Sequence, residues 1–163
     1  MNLENIDFDA SCSIPSPIGP VSIYAKDNAV VFIAMGGHPA PDFGHSKVLS
    51  IASKQLEKYF AGKSKTLDFP VELGGTEFQR SVWDQIAKVP FGETVSYAQI
   101  AAAIGKPQAS RAVGGAVGSN PVPLVIGCHR VMGASGRITG YSGGDGIPTK
   151  RWLLAHEGIV SRD

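Results

Sequence analysis

The chain has 163 residues, 15 Lys+Arg against 14 Asp+Glu and 43% hydrophobic residues, the composition of a globular protein of one domain or two small ones rather than of a disordered chain. Its 20 glycines and 11 prolines follow no period, and no apolar run approaches the roughly 18 to 20 residues of a membrane span, so collagen-like, low-complexity and membrane-spanning readings fall away. Residues 1–77 carry six basic and nine acidic side chains and residues 78–163 nine and five, which makes the second half, at +4, the better candidate for an anionic partner.

The acidic opening Met1-Asn2-Leu3-Glu4 lacks the basic and apolar segments of a secretory signal, so a cytoplasmic location is expected. In that compartment Cys12 and Cys128, 116 positions apart, are expected as separate thiols. Residues 21–25 and 30–34 are rich in β-branched and aromatic side chains and flank a polar turn at 26–29, which reads as a hairpin; residues 13–20 read as a Pro/Gly-punctuated lead-in. Over 46–60, Val48, Ile51, Ala52, Leu56 and Tyr59 recur at helical spacing and Gly62 supplies a stop. Hairpin plus helix predicts a small α+β domain over residues 1–75, with Gly74-Gly75 at its edge and a second domain over 76–163.

The second domain reads as mainly helical. Thr76 with Gln79 forms a capping box, Phe78, Val82 and Ile86 share a face, and Pro90 follows the end. Ser96 with Gln99 opens a second helix that runs through Ile104 and stops at Gly105, and Pro107 opens a third that reaches about Gly118. Two short helices joined at Gly105-Lys106 have the anatomy of a helix-turn-helix. Beyond them, residues 121–126 read as extended and apolar, 133–146 as glycine-rich loop, and 150–156 as a last helical turn or two before Gly158.

On the third helix Ala109, Ala112, Val113, Ala116 and Val117 form the apolar stripe, leaving Ser110, Arg111, Gly114 and Gly115 to the other side. Two consecutive mid-helix glycines cost ~1 kcal/mol each relative to Ala, so a close backbone approach to another surface is expected to compensate. One Arg and no Asn make a poor reader of the major groove, whereas a smooth face with Arg111 as a wedge suits the minor groove. Candidate DNA contacts are therefore Lys106, Ser110, Arg111, Gly114 and Gly115, against the plainer reading in which the glycines only let helices pack.

Cys128 stands in Gly127-Cys128-His129-Arg130-Val131. A free thiol is most often a small buried hydrophobe, but a neighbouring imidazole or guanidinium is what makes a thiolate nucleophile. On a strand, successive side chains face opposite ways, so His129 needs a turn or a bridging water to act on Cys128. Glu157 is the candidate orienter of the imidazole. Cys12, His38 and His45 match no compact zinc pattern, and neither metal nor cofactor is expected.

Val95-Ser96-Tyr97, Ala112-Val113-Gly114-Gly115-Ala116, Ser119-Asn120-Pro121, Cys128-His129-Arg130-Val131, Gly140-Tyr141-Ser142-Gly143-Gly144 and Trp152-Leu153-Leu154-Ala155-His156-Glu157-Gly158 together resemble the O6-alkylguanine-DNA alkyltransferases across residues 76–158. The resemblance implies an RNase H-like first domain and a DNA repair protein that moves an alkyl group from O6-alkylguanine, and by the same chemistry O4-alkylthymine, onto its own cysteine in a single turnover. It implies double-stranded DNA as partner, bound through the minor groove, and no membrane, and a monomer in solution is expected. Position by position it implies Cys128 as acceptor, His129 as base through a water, Glu157 as its orienter and Asn120 as the hinge between recognition helix and active site. It further implies that Tyr97 crowds the target phosphate and donates a proton toward the purine, that Arg111 fills the vacated stack, and that Val131, Tyr141 and Ser142 line the pocket.

Two departures from the family pattern carry expectations. Gly127 stands where the family usually has Pro, and Gly127→Pro is expected to stabilise by ~0.4 to 1 kcal/mol if φ already suits proline. Residues 145–151 are about two residues longer than in many members, which bears on the entry to the last helix and the approach of Glu157. The rival functions are a lesion-binding protein that does not repair, a cysteine hydrolase unrelated to DNA, and a sequence-specific regulator.

Overall fold

The computed structural model describes residues 5–162 and divides into two compact units, one ending at Leu73 and one beginning at Gly74. The first holds an antiparallel sheet of strands β1 (Ala10–Ile14), β2 (Val21–Lys26) and β3 (Ala29–Met35) in the order β1-β2-β3. Asp27 (φ 50°) and Asn28 (φ 63°) alone make the β2–β3 turn, a two-residue connection of the kind that matches strand twist, so Lys26 and Ala29 belong to the strands rather than to a four-residue turn. β1 corrects the lead-in reading: Pro15 and Pro17 hide its end, and its register with β2, Cys12 opposite Ile23, gives the hairpin a third strand.

Helix α1 (Lys47–Phe60) packs on this sheet through Val48, Leu49, Ala52, Leu56 and Tyr59. Leu49 takes the place expected for Ile51, which is 46% exposed. Asn28 fixes the helix start, its Oδ1 accepting from the Val48 N–H at 2.9 Å, and Gly62 at φ 74° ends it. Cys12 is half-buried beside Ser53, with Sγ and Oγ 3.5 Å apart, and burial pushes its thiol pKa up. No three His, Cys, Asp or Glu side chains converge as a metal site among the described residues.

The second unit is built on helices α2 (Glu77–Ala87), α3 (Tyr97–Ala103) and α4 (Ser110–Gly118), each packed on the other two. Both capping boxes form as read, Thr76 with Gln79 and Ser96 with Gln99. In α2, Val82, Trp83 and Ile86 are buried, and Trp83 Nε1 donates to Ala116 O of α4 at 2.9 Å, joining the first and last helices of the trio. α4 begins at Ser110 rather than Pro107 because residues 107–109 form a turn, and Ala112, placed on the apolar stripe by spacing, is exposed while Val113, Ala116 and Val117 are buried.

The short strands β4 (Val95–Ser96) and β5 (Val131–Met132) pair in parallel, and helix α5 (Ile147–His156) closes the unit. α5 starts three residues earlier than read, absorbing most of the longer 145–151 segment, and Pro148 sits in its first turn where a missing N–H costs nothing. Residues 121–126 are not a strand. They fold into a tight reversal in which Ile126 N donates to Val122 O at 3.0 Å and Leu124 takes φ 78°. A left-handed leucine is strained by roughly 1–2 kcal/mol, offset by its nearly complete burial and by the hydrogen bonds of Asn120 described below. Among the described residues no helix is long and apolar enough to cross a membrane.

Candidate active site

The backbone around the cysteine is wound more tightly than a strand. Gly127 at φ −73° and ψ 65° makes an inverse γ-turn, with Cys128 N donating to Ile126 O at 2.7 Å, and Cys128–Arg130 continue as a single 3-10 turn with Arg130 N on Gly127 O at 2.9 Å. Asn120 holds this segment from outside: its Nδ2 donates to Ile126 O at 2.7 Å and its Oδ1 accepts from Val122 N at 3.0 Å. The turn lets His129 and Arg130 converge on one carboxylate, so the opposite-faces argument drawn from a strand does not apply.

That carboxylate is Glu157, just past the end of α5. Its Oε2 takes His129 Nε2 at 2.6 Å and Arg130 Nη2 at 3.0 Å, and its Oε1 takes Arg130 Nε at 2.8 Å and the Gly92 N–H at 3.2 Å. Arg130 Nη1 reaches Val89 O at 2.9 Å. With an ionised carboxylate at Nε2, the imidazole carries its proton there and leaves Nδ1 with a lone pair. Nδ1 is the one buried side-chain nitrogen or oxygen without a hydrogen-bond partner among the described residues. Burial holds the His129 pKa below its ordinary value, against the bond and charge of Glu157, so the resting imidazole is neutral.

Cys128 is 5% exposed and opens onto a cavity of about 340 Å³ lined by Tyr97, Gly114, Val117, Gly118, Cys128, Thr139, Gly140, Tyr141 and Ser142. That volume lies in the range of small-molecule sites. The Tyr141 hydroxyl is 3.9 Å from Sγ, Thr139 Oγ1 donates to Tyr97 Oη at 3.4 Å, and Ser142 Oγ donates to Gly118 O at 3.0 Å. Burial pushes the thiol pKa up, while hydrogen bonds from Asn120 and Tyr141 and the charge of Lys150 pull the other way. Val131 does not line the cavity; its side chain is fully buried and its carbonyl accepts from Lys150. A second cavity of about 530 Å³ lies on another side of Tyr97, lined by Ser96, Gln99, Ser110 and residues 132–136 among others.

Lys106 packs over the Phe78 ring at 5.2 Å, and Arg111 is exposed on the first turn of α4. A side chain at Gly115 would meet nothing within 4 Å, and one at Gly114 would only touch Tyr97 at 4.0 Å, so packing inside the molecule does not require either glycine. Sequence reasoning named Arg130 as a polar neighbour of the thiol without finding its bond to Glu157, and it missed Lys150 as a member of the site. Lys150 shares the i, i+3, i+4, i+7 face of Leu153, Leu154 and Glu157, and that shared face was the available signal.

Gly127 has the φ of a proline but not the room. A Cβ there would lie 2.8 Å from Arg130 Nη1, 3.0 Å from Cζ and 3.1 Å from Cδ, and that guanidinium is fixed by three hydrogen bonds, two to Glu157 and one to Val89 O. Overpacking of about 1–3 kcal/mol outweighs the ~0.4 to 1 kcal/mol that proline would contribute through the unfolded chain. Gly127→Pro is therefore expected to lower Tm, reversing the expectation from φ alone, and Gly127→Ala to lower it as well because its Cβ meets the same atoms. Thermal melts of both variants check this, and a Tm at or above that of the parent chain for either one would contradict it.

The model of the 6-O-methylguanine DNA methyltransferase DNA binding domain matches residues 77–159, and that of the family's ribonuclease-like domain matches residues 12–73. The methylated-DNA–protein-cysteine methyltransferase of Methanosarcina acetivorans is 42% identical over 149 residues, covering 88% of this chain and 94% of the relative. That of Mycobacterium tuberculosis is 43% identical over 153 residues, covering 89% and 90%. The crystal structure of Mycobacterium tuberculosis OGT in complex with DNA superposes with a TM-score of 0.81 at 41% identity, over 91% of this chain and 92% of that one. With both halves matched, a helical trio ahead of a buried Cys-His-Glu constellation, and relatives aligned over nearly their whole length, the chain belongs to the 6-O-methylguanine DNA methyltransferase family.

Proposed function

We propose that this protein repairs O6-alkylguanine in duplex DNA by transferring the alkyl group once, irreversibly, to Cys128. The observation that carries the reading is the combination of a thiol on the wall of a cavity of about 340 Å³ with a neutral histidine whose only unpartnered buried atom, Nδ1, is a base. The thiol proton passes to Nδ1, through a water where the two do not touch, and Glu157 stabilises the imidazolium that results. Sγ then attacks the alkyl carbon, the C–O6 bond breaks, and its electron pair leaves on the purine, which takes a proton from the Tyr97 hydroxyl. A thiolate is a soft nucleophile matched to that carbon. The thioether formed has no ready leaving group, so the protein is consumed.

Reaching O6 inside a duplex requires the nucleotide to be turned out, at a few kcal/mol. The open faces of Gly114 and Gly115 and the exposed Arg111 support a minor-groove approach in which the α4 backbone comes close to DNA and Arg111 occupies the vacated stack. Tyr97, which borders both cavities, is suited to separate the extruded base on one side from its sugar-phosphate on the other. Lys106 and Ser110 complete the interface, Tyr141 and Ser142 shape the base pocket, and Asn120 holds the turn that presents the sulfur. One chain supplies every group the reaction uses, so it acts as a monomer.

Intact-protein mass spectrometry after incubation with an oligonucleotide containing O6-methylguanine tests the proposal. One methyl mass per chain, mapped to Cys128, followed by no further reaction is expected. Cys12 stays unmodified, since burial raises its pKa and no base adjoins it among its bonded partners. Repeated turnover, or tight lesion binding with no mass gain, would replace this reading by a hydrolase or by a non-repairing binding protein.

A further inference from the structure

Helix α5 turns two charged residues inward, Lys150 at one end of an apolar face and Glu157 beyond the other, with Leu153 and Leu154 between them. Glu157 is matched by His129 and Arg130. Among the described residues no carboxylate pairs with Lys150. It is fully buried, and its Nζ donates to Val131 O at 2.6 Å and Gly140 O at 3.2 Å, two neutral acceptors. A buried ammonium held by carbonyls alone is costly, so a structural lysine is a poor account of it.

The two carbonyls belong to the segments on either side of the thiol. Val131 follows the Cys128–Arg130 turn, and Gly140 precedes Tyr141, whose hydroxyl is 3.9 Å from Sγ. The titratable and charged groups gathered there are Cys128, His129, Arg130, Tyr141, Lys150 and Glu157. Arg130 and the imidazolium formed on His129 both lean on the Glu157 carboxylate, which leaves Lys150 as the cation of this group with no carboxylate partner among the described residues.

We propose that Lys150 is a positioning residue that ties the Val131 and Gly140 segments around Cys128 and serves as the built-in counter-cation of its thiolate. This rests on the reading of Cys128 as the alkyl acceptor. When the thiol proton moves to His129 Nδ1, Lys150 keeps all three of its own protons, and sulfur and ammonium then carry opposite charges. Once the sulfur is a thioether it can no longer ionise, and Lys150, while charged, is a buried cation without an anion at every pH. Its proton is then more easily lost. Burial already lowers the Lys150 pKa to about 8, and the Cys128 charge is what opposes the fall.

The test uses the full chain with Cys12→Ser, so that Cys128 is the sole thiol, and follows its carbamidomethylation by iodoacetamide against pH with intact-mass detection. Lys150→Gln keeps donors for the two carbonyls and removes the charge; Lys150→Met removes both. In each variant the midpoint of the rate profile is expected to rise by at least one pH unit, making the reaction tenfold slower or more below the midpoint. A folded Lys150→Gln chain with an unchanged midpoint overturns the proposal. A second measurement needs no change at Lys150: NMR of its side chain before and after Cys128 is carbamidomethylated should show the lysine midpoint falling, and a constant midpoint also overturns the proposal. Neither measurement involves DNA, so a chain that shows both shifts but takes no methyl group from O6-methylguanine would refute the acceptor role of Cys128 and not the pairing.

Discussion

Replacing Glu157 by glutamine is expected to slow alkyl transfer from free O6-benzylguanine by roughly 10²- to 10⁴-fold, the usual worth of a positioned proton acceptor. The reason lies in donor counting. Each carboxylate oxygen faces two donors, Oε1 the Gly92 N–H and Arg130 Nε, Oε2 His129 Nε2 and Arg130 Nη2. A glutamine NH₂ placed at either position meets donors it cannot bond. The relief open to the Oε2 side is for His129 to move its proton to Nδ1, so that Nε2 can accept from the amide. That shift consumes the lone pair on which deprotonation of Cys128 depends, and a neutral amide gives the imidazolium no counter-charge. Glu157→Ala goes further, leaving the buried Arg130 guanidinium without its partner, and is expected to cost about 3–5 kcal/mol of stability. Single-turnover rates on the free base with melts of both variants separate the two effects. A Glu157→Gln rate within threefold of the parent chain would mean that the imidazole is not the base.

Where the fold obeyed local rules it could be read from the residues. Both capping boxes, the glycine stops at Gly62 and Gly105, and the helical character of the second unit depend on contacts within a few positions, and all appear in the structure. The misreadings share one physical cause, which is tertiary context. Residues 121–126 look like a strand because Val, Leu and Ile favour one, yet Asn120 bonds across the segment and holds Leu124 in a left-handed conformation that no propensity would suggest. β1 is short and followed by prolines, and the pairing with β2 defines it. The cysteine, the histidine and the acid could be named as candidates from residue types, and the family resemblance, not their spacing, gave them roles. Their geometry was not legible, since the γ-turn at Gly127 and the 3-10 turn after it replace a strand and bring His129 and Arg130 to the same carboxylate. Lys150 escaped because charged residues are almost never fully buried unless paired. The amphipathic pattern of α5 is likewise blurred by the two charged residues in its buried face.

Arg111→Ala is expected to slow repair of O6-methylguanine in a duplex by about 30-fold or more while changing transfer from free O6-benzylguanine by less than threefold. Arg111 sits on the first turn of α4 with its side chain exposed, and no carboxylate pairs with it among the described residues. It does not line the Cys128 cavity, so the free base reacts without it. The duplex adds one requirement, extrusion of the nucleotide at a few kcal/mol. A side chain that fills the vacated stack offsets part of that, and losing about 2 kcal/mol of the offset corresponds to the 30-fold figure. The surrounding surface fits the same role. Gly115 and Gly118 leave open space beside the helix, so a backbone that packs against nothing within the protein is free to approach a groove. Comparison of the two substrates in single-turnover assays decides the matter, because a folding defect lowers both rates together. Equal losses on duplex and free base would place Arg111 in the stability of α4 or in the chemistry, and the minor-groove reading of that helix would then rest on its glycines alone.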